Sequence, residues 1–376
     1  MSRERRTILA VNTGSSSLKL GVFDWETLEE RAERDTDWGT DDAAGVKGHG
    51  PAVRHLLDGL DVSSVAVVGH RVVHGGAEFR QAVRIDGAVK DGIERLAALA
   101  PLHNPAALEA IEAVDQALPG VPQTASFDTA FHATMPPSSY LYAVPYEWYE
   151  RWGARRYGFH GLSHAYCSAR AAELLGRPLA DLKVVTCHLG SGCSLAAVRG
   201  GLSVATTMGF TPLDGIAMAT RSGAVDPGLL LYALTQQGMT PADLDDALNH
   251  RSGLLGVSGS SADMREILAA RERGDERATL AFDLFCARVR DGIAAMAAAM
   301  GGLDAVAWAG GIGEHAAAVR GAVCASLDWL GMKLDAQANE HAAPDADVAA
   351  ATSPVRILVI HTREELVVAR EARKLV

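Results

Sequence analysis

The feature that most constrains this chain is an internal echo. Ile8–Asp24 reads ILAVNTGSSSLKLGVFD and Val184–Gly200 reads VVTCHLGSGCSLAAVRG. Each is an apolar strand ending in a polar residue (Asn12, His188), then a Gly/Ser turn, then a second apolar strand. One such hairpin is commonly only a turn. Two copies roughly half a chain apart point to a duplicated domain, each copy opening on a β-hairpin with a small, hydrogen-bonding tip. The length of 376 residues suits two domains.

Short apolar runs alternating with helical patterns place the chain in the α/β class. Strands are expected at Ile8–Asn12, Leu18–Asp24, Val65–His70, Val184–His188, Ser194–Arg199, Leu202–Thr206, Ala305–Ala309 and Arg356–Ile360. Helices are expected at Asp91–Ala98, Ala106–Leu118, His164–Leu175, Glu276–Met300, Ala316–Leu330 and Glu364–Leu375. In the long helix from Glu276, the apolar stripe is read as Leu280, Leu284, Ala287, Val289 and Ile293. Segment 31–64 reads as polar and irregular, and 336–353 as a loop.

Several function classes drop out on composition. A net charge of −11 argues against a nucleic-acid partner. The longest apolar run, Ile293–Met300, is far too short for a membrane span. Cys167, Cys187, Cys193, Cys286 and Cys324 make no CxxC pair and read as reduced core thiols. With no leader visible in MSRERRT, a cytoplasmic location is expected.

The hairpin tips offer phosphate binding. Glycine lets backbone N–H groups come close, and serine adds donors without bulk. Ser15, Ser16, Ser17 and Lys19 supply one tip; Gly190, Ser191 and Gly192 supply the other. GxxxxGK[ST] and GxGxxG are both missing, so neither a P-loop nor a dinucleotide fold is indicated. A third cluster, Gly310, Gly311 and Gly313, lies between a strand and a helix, where a flat ligand can approach backbone.

Phosphoryl transfer needs cations around the migrating group and few metal carboxylates. Arg71 follows the strand VAVVGH, His160 sits in RRYGFHGLSH with Ser163 as a candidate N-cap, and Arg221 precedes Gly223. Asp226-Pro227 reads as the N-cap and first residue of the next helix. Asp128 in TASFDTAFH and Glu364 in HTREEL are the candidate carboxylates, with Asn12 beside them. Thr362-x-x-Glu365 fits a capping box, which assigns Glu365 to the helix and leaves Glu364 free. No HExxH or GxSxG appears, which argues against a zinc site or a serine hydrolase.

The segments VNTGSSSLKLGVFD, VGHRVVHGG, LAPLHNP, SFDTAFHATMP, RRYGFHGLSH, CHLGSGCS, TTMGFTPLDGIAMATRSGAVDPG, SGSSADMREI, AGGIGEH and HTREELVVAREA run in order from residue 8 to residue 371. In this the chain resembles the acetate kinases, within the superfamily of sugar kinases, heat-shock chaperones and actin. The resemblance implies two duplicated ribonuclease-H-like (actin-like ATPase) domains, 1–145 plus 362–376 and 146–361, with a nucleotide cleft between them. It implies in-line transfer between ATP and acetate, with Mg²⁺ served by Asn12 and Glu364 (Mn²⁺ can replace it), and a homodimer. By position, Arg71 would bind the acetate carboxylate, and Val73, Leu102, Phe159 and Pro212 its methyl group. His160 and Arg221 would stabilise the phosphoryl group. Lys19, the loop His188, Leu189, Gly190, Ser191 and Gly192, the residues Asp263, Met264 and Arg265, and the turn Gly311, Ile312, Gly313, Glu314 and His315 would hold ATP. Asp128 takes the position described as a proton donor or acceptor. A carboxylate nucleophile is already ionised at neutral pH, so orienting Arg71 or the metal is the physically easier role.

Three positions depart from the family pattern: Ser191 and His315 each stand where Asn is common, and so does Arg363. The first two bear on nucleotide affinity and base preference. A propionate or other short-chain carboxylate kinase is the nearest alternative, since one methylene is discriminated by only about 1–3 kcal/mol. An ATP-driven binding module of the chaperone or actin kind is the alternative of another class.

Overall fold

The computed structural model describes residues 6–14, 17–37, 48–58, 60–101 and 103–376. Ser15, Ser16 and Leu102 therefore lie outside the described residues. The chain divides into two compact units. The first comprises Met1–Ala133, Phe159–Leu162 and Arg363–Val376; the second comprises Thr134–Gly158 and Ser163–Thr362.

Six strands build the first unit: β1 (Thr7–Thr13), β2 (Ser17–Asp24), β3 (Glu30–Asp37), β4 (Val65–Val72), β5 (Val83–Arg84) and β6 (Gln123–Phe127). They lie in the order β3-β2-β1-β4-β6-β5. Strands β1, β4 and β6 are parallel, while β2, β3 and β5 run antiparallel to their neighbours. The second unit carries β7 (Lys183–Leu189), β8 (Cys193–Arg199), β9 (Leu202–Thr206), β10 (Ala305–Ala309), β11 (Ala346–Asp347) and β12 (Arg356–Val359). Their order, read from the other edge, is β9-β8-β7-β10-β12-β11, with parallel and antiparallel pairs in the same places. The echo between the two hairpins is thus a repeat of a whole sheet topology. In both sheets the central parallel strands are almost wholly buried, which is why they read as apolar runs.

The register sets the site. Asn12 pairs with Arg71 across β1 and β4, both near the carboxyl ends of their strands, and Asp128 follows β6 directly. In the second sheet His188 pairs with Ala309, so the β7–β8 turn and the glycine cluster after β10 emerge side by side. Carboxyl ends of parallel strands are where open α/β sheets bind ligands.

Some expectations need correcting. Within segment 31–64 the described residues are not irregular: β3 pairs with β2 over its length, and His49–Leu57 is a helix burying Ala52, Val53, Leu56 and Leu57, while residues 38–47 and 59 lie outside the described residues. Strand β3, ERAERDTD, is an edge strand with mostly exposed side chains, so no apolar alternation announces it. The stretch 336–353 contains a short helix, Ala336–Glu340, and β11. Ala316–Leu330 is a helix only over Ala317–Cys324, with a separate 3₁₀ turn at Asp328–Leu330. The helix Glu276–Met300 forms as expected, and of its expected stripe Val289 and Ile293 are buried while Leu280 is not. Leu280 is 58% exposed, while Ala281, Phe282, Phe285, Cys286, Val289 and Ile293 are buried. In its amino-terminal half, small and aromatic side chains are buried where Leu280 is not. Among the described residues no helix is long and apolar enough to cross a membrane.

Candidate active site

Arg71 is the hub of the first unit. Its Nε and Nη2 donate to the two oxygens of Asp128, at 3.0 and 2.7 Å, and Nη1 donates to Asn12 Oδ1 at 2.9 Å. Nη1 also lies 3.5 Å from Glu364 Oε2. Burial disfavours the charge of Arg71, but Asp128 and Glu364 outweigh it and hold the guanidinium above its ordinary pKa. The side-on edge of the fork is therefore spent on Asp128. One N–H on each Nη makes no hydrogen bond among the described residues, with Glu364 Oε2 3.5 Å from Nη1. Guanidinium N–H groups left over in this way suit an anionic oxygen.

Asn12 Nδ2 donates to Glu364 Oε2 at 3.2 Å and to Glu365 Oε1 at 2.8 Å. Lys19 Nζ lies 2.9 Å from Glu33 and 3.7 Å from Glu365. Burial raises the pKa of Glu364, and repulsion from Asp128 and Glu365 adds to that rise, against the pull of Arg71 and Asn12. A second cation beside Glu364 would relieve it. Among the described residues no group of three or more His, Cys, Asp or Glu is arranged to hold a metal ion. A magnesium ion needs fewer, because it keeps waters and takes phosphate oxygens.

The expected helix cap is not formed as read. Arg363, not Thr362, precedes the first helical residue, with no side-chain cap bond, and Glu365 faces Asn12 and Lys19. Thr362 Oγ1 donates to Ser163 Oγ at 2.9 Å. The local Thr-x-x-Glu pattern loses to partners distant in sequence.

Past Arg71 the chain is pinned by residues that sequence reasoning missed. Buried Asn104 accepts the His74 N–H at 3.1 Å and returns an N–H to the His74 carbonyl at 3.0 Å. Thr129 Oγ1 accepts the Gly75 N–H at 2.9 Å. Both sit in segments quoted above, LAPLHNP and SFDTAFH, but an amide beside proline and a threonine beside Asp128 carry no pattern of their own. Between these anchors Val73 is buried, and the His74 ring meets Phe159 edge-on at 5.3 Å. His160 holds a left-handed backbone, φ 55°, which is uncommon outside glycine. Gly161 follows, and a Cβ there would fall onto the Asp128 carbonyl. That close approach explains the glycine and ties the His160 loop to Asp128.

In the second unit, Ser163 and His164 stand in the first turns of the helix Gly161–Leu175 rather than at its cap. Ser163 Oγ pairs with His188 Nδ1 at 2.8 Å; His164 pairs with Thr186 at 2.7 Å and Ser194 at 2.8 Å. Two consecutive side chains thus dock the helix onto the hairpin that carries Gly190, Ser191 and Gly192. Ser191 is exposed at the tip, and its carbonyl accepts the Ala219 N–H at 3.3 Å. That contact brings in the loop of Arg221.

Arg221 differs sharply from Arg71. Nη1 donates to the Pro212 carbonyl at 2.7 Å, and among the described residues no carboxylate pairs with it. Burial lowers its pKa, opposed only by nearby Cys193. Gly253 (φ 62°) lets the loop fold against the backbone of Met218 and Arg221. Asp226 caps the next helix by accepting the Gly228 N–H, with Pro227 first, as expected. Asp263 caps Met264–Glu272, and Arg265 above it is 90% exposed. After β10, Gly310–His315 is a short helix. Gly311 and His315 face outward, whereas Glu314 is buried, accepting from Gly310 N at 3.1 Å and meeting His361 Nδ1 at 2.8 Å. Burial opposes its ionisation, but His361 and the backbone donors win and keep its pKa low.

A duplicated sheet of this topology, with partly buried arginines at Arg71 in one copy and Arg221 in the other, defines a kinase of the actin-like ATPase fold. Residues 7–370 match the acetokinase family, and the chain belongs to it. It is 54% identical to the acetate kinase of Gloeobacter violaceus over 83% of this chain and 77% of that one. The crystal structure of Porphyromonas gingivalis acetate kinase superposes with a TM-score of 0.90 at 36% identity, covering 98% of this chain and 99% of that one. A propionate kinase from Francisella tularensis superposes with a TM-score of 0.89, also at 36% identity, over 99% and 100% of the two chains.

Proposed function

We propose that the chain moves the γ-phosphoryl group of ATP onto acetate, reversibly, giving acetyl phosphate and ADP. The observation that carries this reading is the contrast between two arginines. Arg71 is caged by carboxylates and keeps one N–H on each Nη without a hydrogen bond among the described residues, donors that an acceptor carboxylate can use. Arg221 is deeply placed without a carboxylate among the described residues, and the equatorial oxygens of a migrating phosphoryl group supply the missing charge.

An acetate oxygen attacks the γ-phosphorus as the bond to the β,γ-bridging oxygen breaks, and ADP leaves. No base is needed, because acetate is already ionised. Asp128 orients Arg71, and the phosphoryl group is the role we assign to Arg221 and to His160. Val73 and Phe159 are the residues we assign to the methyl group. Lys19, His188–Gly192, Asp263–Arg265 and Gly311–His315 hold ATP. Asn12 and Glu364 would hold Mg²⁺, which would neutralise phosphate charge when bound. We place the enzyme in the cytoplasm as a homodimer, which sedimentation velocity tests.

The experiment is a hydroxylamine trap for acyl phosphate with ATP, Mg²⁺ and acetate, propionate or butyrate. Acetate should give the highest kcat/KM. The Francisella likeness favours propionate as a second acceptor, and a larger value for it would move the chain to that activity. ATP turnover with no acyl phosphate from any acid would instead support an ATPase binding module.

A further inference from the structure

Arg320, on the helix Ala317–Cys324, is only 1% exposed, yet among the described residues no carboxylate pairs with its guanidinium. Four N–H bonds hold it, all to carbonyl-type oxygens. Nε donates to Asn339 Oδ1 at 2.7 Å and Nη2 to the Asn339 carbonyl at 2.9 Å. Nη1 donates to the carbonyls of Gly313 and Glu314, both at 2.8 Å. A buried cation without a paired carboxylate is costly. Beyond the favourable field of nearby Glu340, partial negative charge comes from the last carbonyls of two short helices, Gly310–His315 and Ala336–Glu340.

The first of those helices cannot stand alone. It has six residues, three of them glycine. Its amino end is locked: Gly310 (φ 76°) lies against the Leu189 backbone, where a Cβ would meet the carbonyl at 2.8 Å. Its carboxyl end is gripped by Arg320. Between these anchors Gly311 is exposed, with open space where a side chain would be.

The geometry points to Arg320 as the positioning residue of the nucleotide site, holding the turn Gly311–His315 in place for ATP and ADP without acting on the carboxylate acceptor. This rests on the reading of that turn as part of the nucleotide site. A purely structural role would lower the melting temperature and the fraction of active enzyme but leave both KM values alone. A positioning role moves KM for ATP and spares KM for acetate.

The test uses the full chain with Arg320→Lys, which keeps the charge and loses the planar fork, and Asn339→Ala, which leaves three of the four bonds. For Arg320→Lys, KM for ATP and Kd for ADP by calorimetry should rise about tenfold or more, with KM for acetate within about twofold of wild type. Asn339→Ala should shift the same way by about threefold, and it decides the matter if Arg320→Lys does not fold. Gly311→Trp, which adds bulk at the open position, is the companion variant. Weakened ADP binding in Gly311→Trp, with wild-type binding in folded Arg320→Lys and Asn339→Ala, overturns the role of Arg320 alone. Unchanged ADP binding in Gly311→Trp removes the turn from the nucleotide site, and the proposal goes with it. Equal rises in both KM values would also overturn it.

Discussion

Asp128→Asn separates two roles for the carboxylate. The structure gives Asp128 both side-on N–H groups of Arg71, at 3.0 and 2.7 Å, on a residue only 1% exposed. Asparagine keeps one acceptor but turns its NH₂ toward the guanidinium, so one of the two bonds becomes a donor–donor contact. Removing one partner of a buried ion pair costs about 3–5 kcal/mol. Glu364, 3.5 Å from Nη1, takes up part of the charge, which reduces the expected loss of stability to about 2–3 kcal/mol. Arg71 should then swing toward Glu364, and its remaining N–H groups would no longer face the proposed acceptor. KM for acetate should rise about ten- to a hundredfold and KM for ATP should stay within about threefold. The assay is steady-state acyl phosphate formation with each substrate varied, repeated from about pH 6 to about pH 9. If instead KM for acetate is unchanged while kcat falls and the acid limb of its pH profile disappears, Asp128 moves a proton and the orienting argument is wrong.

Three further outcomes are expected. Arg221→Met should cut kcat by about a thousandfold or more while leaving the melting temperature of the free enzyme unchanged or higher, because the arginine is desolvated without a carboxylate; a fall of more than about 4 °C would contradict that. Burial holds His70 and His132 down to about 4, so the unfolded chain, near 6.5, binds more protons between those values. Stability should therefore be full above about pH 6.5 and decline toward pH 4 by up to about 3 kcal/mol per histidine, and urea denaturation giving a flat profile across that window would refute it. Gly161→Ala should lower activity about a hundredfold by displacing Asp128, whereas Gly87→Ala, with nothing near its Cβ position, should be silent; equal behaviour of the two would show that the close approach does not matter.

What the sequence revealed tracks where free energy is local. The hairpins were legible because two strands and a glycine turn are contiguous, and their repetition exposed the duplicated topology. Arg71, Asp128 and Glu364 were legible as polar residues directly after apolar strands, and they do converge. Glu365 was misassigned because Thr362-x-x-Glu365 is a valid local cap, and only the fold could show that Asn12 and Lys19 compete for that carboxylate. Strand β3 was hidden because an edge strand needs backbone pairing and little apolar surface. The stripe on Glu276–Met300 was read correctly at Val289 and Ile293 but placed on Leu280 and Leu284 further back, where Ala281, Phe282 and Phe285 are the buried residues. Asn104 and Arg320 left no trace as interior residues, since burying an amide or a guanidinium is affordable only where carbonyls already wait.

The two sheets share a topology, so topology cannot assign their roles; the residues at the strand ends must. The ends of β1, β4 and β6 lead into Asn12, Arg71 and Asp128, a hydrogen-bonded charged set. The corresponding ends of β7, β10 and β12 lead into His188, Gly310 and His361. An arginine could not replace Gly310, whose positive φ and contact with the Leu189 backbone leave no room for a Cβ. A glycine could not replace Arg71 without leaving Asp128 and Glu364 buried and short of a counter-charge. Each copy is locked into its chemistry by backbone space in one case and by electrostatics in the other. Under the proposed function, the first copy grips an anion with a side chain and the second offers bare backbone to a larger ligand.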